Sequence, residues 1–192
     1  MFELDRILKL DSLRAAPLLL GWQIVRDLPG GRVRLRIVET EAYHQDDPAS
    51  HSFRGRTVRT APMFESGGHI YVYFSYGVHY CINIVTGQAG RGEGVLLRAA
   101  EPLEGIEIMK SNRGLEKIEN LASGPGKLAQ ALGVRDTSLS GTRLGRSSLW
   151  LEPPRVAVKP RHIVIGPRVG ITKAAEAEAR FYIKGSKFVS KI

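Results

Sequence analysis

One cysteine in 192 residues leaves no partner for an internal disulfide and no paired thiols for a zinc cluster. Cys81 is therefore expected as a reduced thiol in a strand. Long apolar runs are missing too: stretches such as Leu18–Leu20 and Val95–Leu97 fall far short of the roughly 20 residues that a membrane helix needs. No membrane partner is expected. The opening MFELDRILKL alternates acidic and basic residues and carries no apolar stretch with a small-residue cleavage site. The chain is expected to act in the cytoplasm, and on the nucleoid if the cell is prokaryotic. Acidic charge is scarce, with 19 Asp and Glu against 28 Lys and Arg, a net charge of +9. A polyanionic partner follows naturally, because each phosphate neutralised by Lys or Arg releases condensed counterions. Charge alone does not separate DNA from RNA, from an anionic membrane, or from a simple need for solubility.

What is present is enough apolar matter, 43% of the residues, to build a core in a single domain spanning residues 1–192. Asp11 followed by SLRAAPLLLG has the form of an N-capped amphipathic helix ending near Gly21. WQIVRDLPGGRVRLRIVETEAY has the form of two strands joined by a Leu-Pro-Gly-Gly turn. Residues 44–68 have no period and are rich in Gly, Pro, Ser, Asp and Arg, as expected of a loop that is either functional or disordered. HIYVYF and VHYCINIV form a hairpin pattern, and GVLLRAAEP is a fifth strand. LEGIEIMKSN and PGKLAQALG are short helices, and the tail from Ser148 alternates short strands with Pro and Gly turns. The sum is an α+β fold, mixed and mainly antiparallel.

Four of the six tyrosines fall within Tyr71–Tyr80. Strand alternation puts Ile70, Val72 and Phe74 on one face, and Tyr71, Tyr73 and Ser75 on the other. After the turn, Val78, Tyr80, Ile82 and Ile84 share a face opposite His79, Cys81 and Asn83. One side is core. The other offers rings and an amide, suited either to a pocket for a flat polar heterocycle or to filling a half-buried sheet. Tyr76 beside Gly77 lies at the hairpin tip, where a ring can wedge into a base stack.

RIVETEAY, 36–43, raises a different question. Simple alternation gives Leu35, Ile37, Glu39, Glu41 and Tyr43 one common face, so carboxylates fall where apolar groups belong. Three uses remain open: a general base that activates water, a metal site completed by Asp46, Asp47 and His51, or ion pairs with nearby arginines. A metal-dependent nuclease would take the second, and a non-catalytic single-strand binder would use only the tyrosines as stacking platforms.

VETEAY at 38–43, the HS and RG steps of the long loop, MF at 63–64, YVYFSYGVHYCINIV, VLLRAAEPLEG, SGPGKLAQALG and FYIKGS occur in that order and span nearly the whole chain. In these segments the sequence resembles the alkyladenine (3-methyladenine) DNA glycosylases of the vertebrate type. The resemblance implies a curved, mainly antiparallel sheet with a protruding β-hairpin and short peripheral helices. It also implies a monomer that acts on double-stranded DNA containing damaged purines, with no cofactor and no metal. By the same resemblance Glu41 is the general base that deprotonates a water for attack at C1′ of a flipped nucleotide. Arg98, with the backbone carbonyl of Val169, would hold that water. Tyr43, His51 and Tyr73 would line the base pocket, and Asn83 at its floor would clash with the 2-amino group of guanine. Tyr76 would fill the gap left in the duplex. Arg56 in the long loop and Lys127 at the start of a helix are expected on DNA phosphates. SGPGKLAQALG lacks the GxxxxGK[ST] spacing of a phosphate-binding P-loop. No lysine lies within the pocket segments, so an abasic site is the expected product rather than a nicked strand.

Overall fold

In a computed structural model of the chain, residues 2–190 are described. The spine of the fold is β2, Gly31–Tyr43, which is thirteen residues long. Its first half pairs with β1, Gln23–Leu28, its residues Glu39–Glu41 pair with β8, Arg180–Ile183, and its other edge runs along β5, Gly94–Glu104. β3, Ile70–Ser75, and β4, His79–Val85, extend the β5 edge as a hairpin. β6, Leu149–Glu152, pairs with β1, and β7, Ile163–Gly166, pairs with β8. All these pairings are antiparallel, in the order β3-β4-β5-β2-β1-β6 with β8 and β7 branching from β2. The α+β fold expected from the sequence is the fold observed, a single domain around a curled sheet.

Four short helices cover one face of that sheet: α1, Phe2–Leu8; α2, Ser12–Leu18; α3, Ile106–Arg113; and α4, Pro125–Ala131. Asp11 caps α2 as expected, its side chain accepting the Arg14 N–H at 2.9 Å. α1 has no counterpart in the sequence reading; it forms because Ile7 and Leu8 bury themselves in the main core. That core joins Ala15, Ala16, Leu19, Met109 and Leu128 to Leu35, Ile37, Ile70, Ile82, Ile84 and Leu97. The opposite face carries two smaller apolar clusters, around Met63, Phe64, Tyr71 and Val85, and around Val38, Ala99 and Phe188.

The face expected for Glu39 and Glu41 is wrong, and the reason is a pair of β-bulges. Ile37 pairs with Ala100, Glu39 with Ala99, and Thr40 with Leu97, so β2 carries one extra residue at Val38 and β5 one at Arg98. Leu35 and Ile37 point into the main core, yet two steps later it is Thr40 and Ala42 that do so; Thr40 Oγ1 donates to the Ala16 carbonyl at 2.9 Å. The parity of the strand has switched. Val38, Glu39 and Glu41 therefore leave the helix-covered core for the other side of the sheet, and so does Arg98.

Candidate active site

On that side lies a cleft of about 470 Å³. Its walls come from the end of β2, the β3–β4 hairpin, the loop between β2 and β3, the start of α4, and residues 169–171. Tyr71 and Tyr73 reach it from β3, and His79, Cys81 and Asn83 from β4, as alternation requires. The Tyr71 and Tyr73 rings stack with centroids 5.5 Å apart and 27° between planes, and His51 stands edge-on to Tyr73 at 4.5 Å. His51 Nδ1 lies 3.0 Å from the Tyr71 hydroxyl. Asn83 is buried, and its Nδ2 donates to the Tyr71 carbonyl at 3.4 Å. Met63 and Leu96 complete the apolar lining. Composition marks neither, because buried methionines and leucines occur throughout any core, although both lie in segments that carry the family resemblance, MF and VLLRAAEPLEG.

Burial holds the titratable walls neutral. The Tyr43, Tyr71 and Tyr73 phenols are pushed above their ordinary range, first by lost hydration and, for Tyr43, then by the Glu41 charge. The Cys81 thiol is raised by burial, against the hydrogen bonds of Tyr73 and Ser75 that lower it. His51 is exposed at the cleft mouth, but its ring packs between tyrosines; lost hydration, and then the Arg59 charge, push it from 6.5 down to about 4. The native state thus binds this proton less tightly than the unfolded chain, so the His51 contribution to stability is fully present above about 6.5 and is lost as pH falls toward 4. In an NMR titration the His51 ring is expected to show no inflection between pH 6 and 8; an ordinary midpoint near 6.5 would contradict the packing.

The two glutamates are now distinguishable. Glu41 lines the cleft and is fully buried: its Oε2 accepts the Tyr43 hydroxyl at 2.9 Å, its Oε1 accepts the Val169 N–H at 2.9 Å, and Arg98 Nη1 stands 3.4 Å from Oε1. Glu39 does not line it. Glu39 Oε1 receives Arg180 Nε at 2.6 Å and Ser190 Oγ at 2.9 Å, with Arg98 Nε at 3.3 Å, and its Oε2 receives the Ser190 N–H at 2.7 Å. It is an anchor that orients Arg98 toward Glu41. Asp46 pairs with Arg91, and Asp47 with Arg168. Among the described residues no group of three His, Cys, Asp or Glu is placed to hold a metal ion, and the acids a nuclease would use are committed to arginines.

The sequence profile of the methylpurine-DNA glycosylase (MPG) family matches residues 6–187. The chain belongs to that family. It is a DNA glycosylase, an enzyme of DNA repair. Over 181 residues it is 50% identical to a protein of Mesorhizobium japonicum named "Putative 3-methyladenine DNA glycosylase", covering 94% of this chain and 86% of the relative. A protein of the same name from Methanoculleus marisnigri is 51% identical over 158 residues, covering 81% and 82%. One from Francisella tularensis subsp. tularensis is 44% identical over the full length of both chains. These relatives are bacterial and archaeal.

Of the remaining residues singled out in the sequence, Tyr76 and Val169 line the cleft, and Lys127 and Arg56 do not. Tyr76 is 84% exposed, with φ 50, and Gly77 follows at φ 67. The Val78 N–H donates to the Ser75 carbonyl at 3.0 Å, and the two central residues of that turn both have the positive φ of a type I′ turn, while Ser75 pairs with His79 and leaves Val78 in the loop. Val78 was expected on the core face; it is 76% exposed because it belongs to the turn. Val169 meets Glu41 through its N–H, which donates to Oε1. Lys127 is exposed in the first turn of α4, and a Cβ at Gly126 would come within 2.3 Å of the His79 ring, so glycine there lets the helix start close against the hairpin. Arg56 does not face the cleft and pairs with Glu65 at 3.2 Å. Arg59, three residues on, does face it, with its guanidinium 5.7 Å from the Tyr73 ring centre.

Proposed function

We propose that this domain is a monofunctional glycosylase. It flips alkylated or deaminated purines (3-methyladenine, 7-methylguanine, hypoxanthine, ethenoadenine) out of duplex DNA and hydrolyses the N-glycosidic bond. The observation that carries the reading is a single carboxylate, Glu41, buried in a neutral aromatic cleft with Arg98 beside it. A water held between them gives a proton to Glu41 as its oxygen attacks C1′; the C1′–N bond breaks, and its electrons leave with the base. A purine methylated at N3 or N7 carries positive charge, so it departs as a neutral molecule; a neutral lesion such as hypoxanthine or ethenoadenine must in addition take up a proton as it leaves. Tyr43, His51 and Tyr73 provide faces on which the flipped ring stacks, worth about 1–3 kcal/mol per base. No lysine lines the described cleft, which supports an abasic product over strand cleavage. The protein acts as a monomer on double-stranded DNA in the cytoplasm, drawn to phosphates by its net charge of +9, with Lys127 as one contact.

Incubation with alkylated duplex DNA, followed by chromatography of the free bases, tests this reading: methylated purines should be released and the strand left unbroken. Retention of every base on the DNA would sink it. Asn83 provides a finer test of specificity. Its amide is tied to the Tyr71 carbonyl and so cannot swing away from a 2-amino group. Asn83→Ser is expected to raise excision of N7-alkylated guanine relative to hypoxanthine on the order of 10-fold, because the selectivity is a built-in clash. An unchanged ratio removes Asn83 from the filter.

A further inference from the structure

Asp47 and Arg168 are both buried, 121 positions apart, on two segments that meet at the open end of β2. Arg168 Nη2 donates to Asp47 Oδ1 at 3.0 Å and its Nη1 pairs with Oδ2, a two-pronged bond that fixes the plane of the guanidinium. Nη1 also donates to the Ala42 carbonyl at 3.0 Å, between Glu41 and Tyr43, and the guanidinium carbon lies 4.6 Å from the centre of the Tyr43 ring. The next residue, Val169, puts its N–H on Glu41. On the other side Asp47 turns its own loop, accepting the Ala49 N–H at 2.9 Å on Oδ1 and the Ser50 N–H at 2.8 Å on its carbonyl, just before His51.

A buried ion pair is poor evidence of stability, because packed apolar side chains often serve as well or better once desolvation is counted. What it does provide is fixed geometry. We propose that the Asp47–Arg168 pair is the positioning element of this site, holding the Val169 N–H against Glu41 and the Tyr43 ring against the cleft without touching the base. The proposal rests on Glu41 being the general base. Positioning errors well below the size of an atom slow a reaction more than they weaken binding, since attack needs an aligned water and binding does not.

The test replaces the pair by Asp47→Leu with Arg168→Met, apolar groups able to pack in the same space. Thermal midpoint, binding of a lesion duplex, and single-turnover base release with enzyme in excess are measured on the parent and the double variant. The fold should survive with a lowered thermal midpoint, because the buried Ala42 carbonyl and the Ala49 N–H lose their partners, while the loss in excision exceeds the loss in lesion binding by about tenfold. The Val169 amide proton resonance should also move upfield as its bond to the carboxylate loosens. A double variant that folds and excises like the parent overturns the proposal, since the pair would then be structural only. If the double variant does not fold, Arg168→Lys decides: it keeps the charge and loses the two-pronged bond, and parent-like excision by folded Arg168→Lys overturns the proposal equally. A parent that releases no base from alkylated DNA would defeat the assignment of Glu41 instead, and would be seen in the first lane of the same assay.

Discussion

Glu41→Gln is expected to bind lesion-containing duplex about as well as the parent and to release base about 10²- to 10⁴-fold more slowly, the usual worth of a general base. The amide keeps the shape of the carboxylate and can still accept the Val169 N–H, but it cannot take a proton from water. Glu39→Gln should behave in the opposite manner. Glu39 is buried among Arg98, Arg180 and Ser190, so losing its charge leaves Arg180 without its carboxylate and Arg98 with Glu41 alone, and should cost about 3–5 kcal/mol of folding stability. Urea unfolding separates that effect from chemistry: excision per folded molecule should fall far less than in Glu41→Gln. The assignment of the base fails if the two variants exchange behaviours, or if Glu41→Gln loses binding in step with turnover.

Tyr76→Ser should weaken binding to lesion-containing duplex and lower the population of flipped nucleotide, while leaving excision from single-stranded DNA largely intact. Removing a nucleotide from a duplex costs a few kcal/mol of stacking and pairing, and a projecting ring that enters the gap would replace part of it. The stability effect distinguishes a wedge from a wall. Tyr76 is almost wholly exposed and holds a left-handed backbone that costs a side chain about 1–2 kcal/mol; its hydroxyl donates to the Gly170 carbonyl at 3.2 Å. Tyr76→Gly should therefore fold no less well than the parent, glycine's extra unfolded freedom offsetting only about 0.5–1 kcal/mol of the relief. Tyrosine at a position that backbone energetics would give to glycine points to a use for the ring. Truncation of Tyr73, packed on Tyr71 and His51, should instead cost about 1–3 kcal/mol. Fluorescence of 2-aminopurine beside the lesion reports the unstacking. A Tyr76→Ser protein that flips and excises like the parent, or one that unfolds, would remove the wedge.

Much of this was legible in the sequence wherever the cause is local. The period of two between Ile70 and Asn83 put Tyr71, Tyr73, Cys81 and Asn83 on one face, and Tyr76-Gly77 announced a tight turn, because pleat and turn depend only on neighbouring residues. The same rule failed in β2. The extra residues at Val38 and Arg98 reverse the parity of two paired strands, and nothing in either strand alone marks them. Their effect is to take Glu41 and Arg98 out of the main core and into the cleft.

Composition and alternation by themselves thus determined the α+β class, the hairpin, the aromatic wall and the pull toward a polyanion. Only the tertiary structure decided which glutamate faces the cleft, that Arg59 and not Arg56 stands at its rim, and that Val169 reaches Glu41 across 128 positions. The reason is physical: a carboxylate's role is set by the donors around it. Those donors, Arg98, Val169 and Ser190, come from β5, from the segment after β7 and from the end of the described chain, brought together only by closure of the sheet.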